Sequence, residues 1–139
     1  MKFDFSAYDD DTATVIDRLW KEQDARDNMK DLTIVKWGFS VKHEGEIIGG
    51  IDGHIRMNWM YIRNLIVDPN YRGHGVAQQL MSMAETHAKE VGVLGMHLKT
   101  YAFQAPEFYK KCGFENAGTI EDLPEGYALH FMKKNLQPS

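Results

Sequence analysis

The run Leu65, Ile66, Val67, Asp68, Pro69, Asn70, Tyr71, Arg72, Gly73, His74, Gly75, Val76, Ala77 reads as a buried-type strand, a loop with two glycines and the start of a helix. Glycines at alternate positions let the backbone turn tightly and come close to a ligand. The N–H groups that open a helix have no partner inside it and carry part of a positive charge. A place of that kind binds an anion. Arg72 and His74 add charge and hydrogen bonds suited to phosphate oxygens. The glycines do not make a dinucleotide-binding turn, because Gln78 stands where G-x-G-x-x-G needs its third glycine, and there is no Walker G-K-S/T. Two glycines alone serve equally well as a tight connection, so the residues around them must decide.

Other side chains able to do chemistry are scattered. Tyr109 sits at helical spacing near Phe108 and Phe114, which by itself describes a core aromatic. Asp52 and His54 alternate along a strand and so share one of its faces, where solvated polar residues are common. His43, His87, His97 and His130 lack the spacing of metal ligands, so no metal is expected. Cys112, before a helix-ending glycine, reads as packing. Trp37, Phe39, Met57, Trp59, Met60 and Tyr61 read as mostly core, with a minority lining a pocket.

The elements that position these residues follow from periodicity. Residues 1–6 alternate briefly. Asp9, Asp10, Asp11 and Thr12 precede a helical pattern at Val15, Ile16, Leu19 and Trp20, where acids suit the positive end of the helix. Apolar runs at 34–41, 47–55 and 59–67 predict an antiparallel meander, with a turn at His43, Glu44, Gly45 and Glu46 and irregular backbone at Gly49, Gly50 and Gly53. Val76, Leu80, Met83, Ala84, Ala88 and Val91 predict a helix that Gly92 ends. Leu94, Met96 and Leu98 predict a strand, residues 106–112 a short helix closing at Gly113, Phe114 the start of an extended piece, and 127–133 a last strand. The fold class is mixed α/β, an α+β sheet whose antiparallel first half joins a parallel strand pair through a right-handed crossover.

Composition sets the outer limits. With 139 residues, 43% hydrophobic, 26% charged and 12% aromatic, the chain is expected to form one domain over 1–139 and is neither disordered nor fibrous. Sixteen Lys and Arg against twenty Asp and Glu give a net charge of -4, which argues against nucleic acid or a membrane surface as partner. One cysteine excludes an intramolecular disulfide framework, and with no leader or bilayer-length apolar run the expected location is cytoplasmic.

Arg72-Gly73-His74-Gly75-Val76-Ala77 resembles the Q/R-x-x-G-x-G/A signature of the GCN5-related N-acetyltransferase (GNAT) family. Phe103-Gln104-Ala105-Pro106-Glu107-Phe108-Tyr109, continuing to Gly113-Phe114, resembles that family's later motif ending in F-Y-x-x-x-G-F, in the form found in small single-domain bacterial members. The two lie in the family's order, and the likeness spans residues 34–136. It implies a GNAT-like fold with helices on both faces, acetyl-coenzyme A as cosubstrate and an amine as acceptor, and it allows a homodimer. It further implies that Arg72, Gly73, His74, Gly75, Val76 and Ala77 cradle the pyrophosphate. Leu65, Ile66 and Val67 form a bulged strand whose backbone pairs with the pantetheine arm, and Tyr109 protonates the leaving thiolate. Ala102 stands where many members carry a coenzyme-contacting Asn, a contact that Gln104 is a candidate to replace. The general base is sought among Asp52, His54 and Glu46 on the middle strands. The implied activity is direct transfer of acetyl to a primary amine in a ternary complex, with a small molecule as acceptor. A protein or peptide acceptor, or a catalytically silent coenzyme-A-binding module, are the other readings.

Overall fold

A computed structural model of the chain describes residues 1–27, 33–101 and 105–137. It divides into two compact units, residues 1–32 and 33–139. In the first, residues 1–9 carry no regular element, and α1 spans Asp10–Arg26. Asp9 caps α1: its carboxylate accepts the Thr12 N–H at 2.8 Å while the Thr12 hydroxyl accepts the Asp9 N–H at 3.3 Å. This reciprocal box satisfies two amides that the helix cannot, which is the local reason for an acid and a threonine at that spacing.

The second unit holds β1 Val35–His43, β2 Glu46–Arg56, β3 Trp59–Val67, a 3-10 turn Pro69–Tyr71, α2 Val76–Val91, β4 Gly95–Tyr101, α3 Pro106–Lys111, β5 Glu115–Glu121 and β6 Ala128–Asn135. The six strands form one sheet in the order β1-β2-β3-β4-β6-β5. Pairing is antiparallel throughout except between β3 and β4, which α2 connects. Both meander turns use consecutive residues at positive φ, Glu44 with Gly45 and Met57 with Asn58, the backbone that matches the strands' own twist.

Alternation along the strands sends Met60, Ile62 and Val67 of β3, Met96 and Leu98 of β4 and Met132 of β6 into one buried layer. The helix α2 covers that layer with Leu80, Met81, Ala84 and Ala88. The two alanines are fully buried, so the helix lies close to the sheet. Met81, not the expected Met83, belongs to this stripe, and Val91 is 52% exposed, because the helix turns its 80, 81, 84, 88 line to the sheet.

The feature that shapes the site is a bulge. Asp52 faces Asn64 and Gly53 faces Ile62, so Arg63 is one residue too many on β3. The bulge expected at residues 65–67 therefore sits earlier, at Arg63, and residues 65–67 pair regularly with β2. Such an insertion bends and twists its strand. On the other side of β3, parallel pairing with β4 lasts only three rungs, Trp59 to Gly95, Met60 to Met96 and Tyr61 to His97. Beyond them the two strands part. Opposite the bulge only glycine fits, since a Cβ on Gly53 would run into the carbonyl oxygen of Tyr61. Gly53→Ala is expected to destabilise the fold by about 1–3 kcal/mol through this overpacking, read as a lowered midpoint in urea; an unchanged midpoint would show that the bulge tolerates a side chain.

Candidate active site

The β3–β4 ladder ends at the Tyr61–His97 rung, and from there the two strands part. A cleft of about 970 Å³ opens there. Its walls are Leu65, Ile66 and Val67 on one strand and Lys99, Thr100 and Tyr101 on the other, with Arg72, Gly73 and Gly75 at one end and Tyr109 of α3 on its lining. Alternate residues of a strand aim their amide and carbonyl groups at opposite edges, so part of the 65–67 backbone faces the opening rather than β2.

The end formed by α2 is built for negative charge. Asp68 caps the 3-10 turn by accepting the Asn70 N–H at 2.8 Å, which delivers the chain to Arg72 in extended form. Gly73 and Gly75 then take φ of +83° and +76°, values that L side chains adopt only under strain. A Cβ on either would meet no atom within 4 Å, so backbone conformation, not packing, calls for glycine there. Gly75 is the N-cap of α2, and no side chain caps that helix. Its opening amides thus point outward with the positive end of the helix dipole. Val76 and Ala77 line the cleft with Gly75. His74 is exposed and is not among the lining residues.

Two cations that the sequence reading did not associate with this place, Arg63 and Lys99, line the cleft beside Arg72. None of the three is ion-paired among the described residues. Of the aromatic and Met group expected to be mostly core with a minority lining a pocket, Tyr61 lines the cleft. Nothing local in the sequence marks these positions; they converge because the bulge opens the sheet.

Tyr109 is held edge-to-face between Phe108 and Phe114, with ring centroids at 5.3 and 6.1 Å. Burial raises its phenol above the ordinary tyrosine range, and the neighbouring Cys112 adds to the shift. It therefore keeps its proton at neutral pH. Burial also raises the Cys112 thiol, with Lys134 opposing and Glu85 reinforcing the shift, so this cysteine is a poor nucleophile. Ala102 and Gln104 lie outside the described residues.

Asp52 and His54 share a strand face but have different neighbours. Asp52 accepts a hydrogen bond from the Asn64 amide at 2.9 Å and lines a second, shallower groove of about 750 Å³ floored by Gly38 and Gly50. Asn64 and Ile66 line both the groove and the main cleft, so the two adjoin. The His54 ring lies 5.1 Å from Tyr61, which lies 5.0 Å from His97, which meets Trp59 edge-on at 6.1 Å. This row of rings crosses the sheet on the face away from α2, beginning where the strands part. Burial, and secondarily His54, pushes His97 below the ordinary histidine value, so it is neutral at pH 7. Glu46, the third candidate, is exposed at the far end of β2. Among the described residues no three His, Cys, Asp or Glu side chains converge as metal ligands.

With this geometry in view, comparison with known proteins defines the class. The model of the acetyltransferase (GNAT) family matches residues 4–114, and the chain belongs to that family. It is an acetyl-coenzyme-A-dependent N-acetyltransferase. Over 99 residues, 70% of this chain and 73% of the relative, it is 36% identical to a blasticidin-S acetyltransferase of Streptomyces morookaense. The crystal structure of an acetyltransferase from Bacillus cereus superposes with a TM-score of 0.80 at 33% identity, covering 96% of this chain and 98% of that one. A Bacillus anthracis chain described as a streptothricin acetyltransferase, solved with acetyl coenzyme A, matches with a TM-score of 0.67 at 26% identity over 79% of this chain and 68% of that one.

The residues present suit acetyl-coenzyme A. An uncapped helix start, glycine positions open to solvent and three cations with no ion pair among the described residues match a diphosphate, and the edge of β3 beyond its ladder with β4 matches an amide-bearing arm. Gly75→Ala places a methyl group in that open space and forces a side chain to positive φ, at about 1–2 kcal/mol of folding stability. Calorimetric titration with coenzyme A is expected to show affinity weakened about tenfold or more, since displaced amides lose charge-assisted hydrogen bonds; unchanged affinity would place the anion elsewhere.

Proposed function

We propose that this chain acts as a single acyltransferase domain that moves acetyl from acetyl-coenzyme A to a primary amine of a small molecule, by direct attack within a ternary complex. The single-domain reading is supported by the family match, which crosses the boundary between the two units. The observation that carries the reading is one cleft lined by the glycine loop, the β3 residues Leu65 to Val67 and Tyr109. Arg72 and the amides from Gly73 to Ala77 hold the pyrophosphate, and the backbone of Leu65, Ile66 and Val67 holds the pantetheine. The coenzyme supplies an acetyl thioester, whose carbonyl carbon gains the amine nitrogen as its bond to sulfur breaks. Tyr109 gives its proton to the departing sulfur and regains one from solvent. Asp52, in the adjoining groove, attracts the acceptor as an ammonium ion. His54, its ring 5.1 Å from that of the cleft residue Tyr61, takes up the proton that turns the ammonium into the attacking amine, and the second N–H proton, lost as the amide forms, passes to solvent.

The small-molecule reading is supported by the relatives, which are named for blasticidin-S and streptothricin. Thiol release from acetyl-coenzyme A, followed with blasticidin S, polyamines and lysine-containing peptides, is expected with small amines. Release with the peptides alone would overturn the acceptor class. Tyr109→Phe should lower kcat by about 10²-fold or more while leaving coenzyme A affinity unchanged. Equal effects on both would remove the acid role. Because the phenol's pKa is raised and its protonated form is the active one, Tyr109 contributes no alkaline loss of kcat below about pH 10. An alkaline limb well below this that Tyr109→Phe abolishes would contradict the assignment.

A further inference from the structure

The helix that carries Tyr109 has six residues, too few to be stable by its own hydrogen bonds. Its first residue follows Ala105, which provides no side-chain cap. Its other end is closed by a residue from a distant strand. The Lys134 ammonium, on β6, donates to the carbonyl oxygen of Cys112, the C-cap of α3, at 2.8 Å. The same ammonium pairs with the Glu85 carboxylate of α2, and both side chains are only 25% exposed. A cation at a helix C-terminus satisfies an orphan carbonyl and complements the negative end of the dipole. Gly113, at φ +95°, makes room for this arrangement, since a Cβ there would lie 3.0 Å from the Lys134 nitrogen and 3.1 Å from its Cε. Phe114 closes the turn by donating its N–H to the Tyr109 carbonyl at 3.0 Å.

The Glu85, Lys134, Cys112 chain therefore joins two helices with different tasks. The start of α2 carries the anion-binding amides, and α3 carries the tyrosine. We propose that Lys134 is a positioning residue for the reaction: anchored by Glu85, it fixes the end of α3 so that Tyr109 keeps its place relative to the α2 end of the cleft. The inference rests on the reading of Tyr109 as proton donor. It assigns to Lys134 and Glu85 no contact with either substrate, and neither lines the cleft. It differs from a purely structural role in one respect: removing the clasp should impair the proton-transfer step while coenzyme binding at the start of α2 survives.

The test is a double-mutant cycle between Lys134→Met and Tyr109→Phe, read as thiol release from acetyl-coenzyme A with blasticidin S as acceptor and, in parallel, as amine-independent hydrolysis of acetyl-coenzyme A. In the native background Lys134→Met is expected to lower kcat about tenfold or more, the scale of a small misplacement of a reacting group. KM for acetyl-coenzyme A should stay within about twofold. In the Tyr109→Phe background the same change should cost little more, because the group it positions is already gone. Lys134→Arg should restore most of the turnover. Should Lys134→Met fail to fold, Glu85→Gln, which keeps a hydrogen-bond acceptor for the lysine, should show the same kcat-selective loss in smaller measure. An unchanged kcat in Lys134→Met, an equal fractional loss in both backgrounds, or a parallel rise in KM would overturn the proposal. A silent Tyr109→Phe would instead remove the acid reading, and the positioning role with it. An active-site effect of Tyr109→Phe beside a silent Lys134→Met isolates failure of the clasp alone.

Discussion

Three rungs of parallel pairing join β3 to β4, and the extra residue at Arg63 ends the agreement between them. A sheet that has no reason to open would continue its ladder, since unpaired backbone groups are costly when no other partner is at hand. Here the bent strand turns its edge away, and the exposed edges become walls of a cleft instead of a seam. The glycine at position 53 belongs to the same constraint, because the backbones of β2 and β3 come too close there for any side chain. The cleft, with the glycine loop at one end and Tyr109 on its lining, depends on this parting.

Electrostatics divides the site into regions of opposite sign within a chain whose net charge is -4. Arg63, Arg72 and Lys99, none ion-paired among the described residues, line the cleft with positive charge, and the opening amides of α2 add to it. Asp52 gives the adjoining groove a negative group, held in orientation by Asn64. The cleft and the groove beside it thus carry groups of opposite sign. Between these regions the titratable groups are kept neutral by burial: Tyr109 retains its proton and His97 does not acquire one.

Packing determines how firmly these pieces are held. Ala84 and Ala88 are buried in one cluster with Met60 and Met96, so the helix that follows the glycine turn is fixed to the core. By contrast α3 has little hold of its own and depends on Phe114, on the aromatic contacts of Tyr109, and on the cation from β6. The tyrosine therefore sits on a short, externally braced helix, while the glycine turn opens a helix anchored in the core.

Much of this was legible from residues alone. The strand pattern at 59–67, the glycine pair and the helix bounded by Val76 and Gly92 were readable because each is a local signal: alternation, positive-φ residues and a repeat near 3.6. The likeness of Arg72 to Ala77, with that around Tyr109, pointed to the family that the comparisons establish. What the local pattern misplaced was the bulge, expected at 65–67 and found at Arg63, because an extra residue is defined only against the strand it fails to pair with. Arg63, Lys99 and Tyr61 were unreadable as neighbours for the same reason, and so were Glu85, Lys134 and Cys112, which come from two helices and a strand. Sequence by itself determined the elements and the glycine turn before α2, since backbone propensity and side-chain period act over a few residues. Only the tertiary structure decided where β3 and β4 separate and which charges face the gap, because register and sheet geometry are set by pairings between segments far apart in the chain.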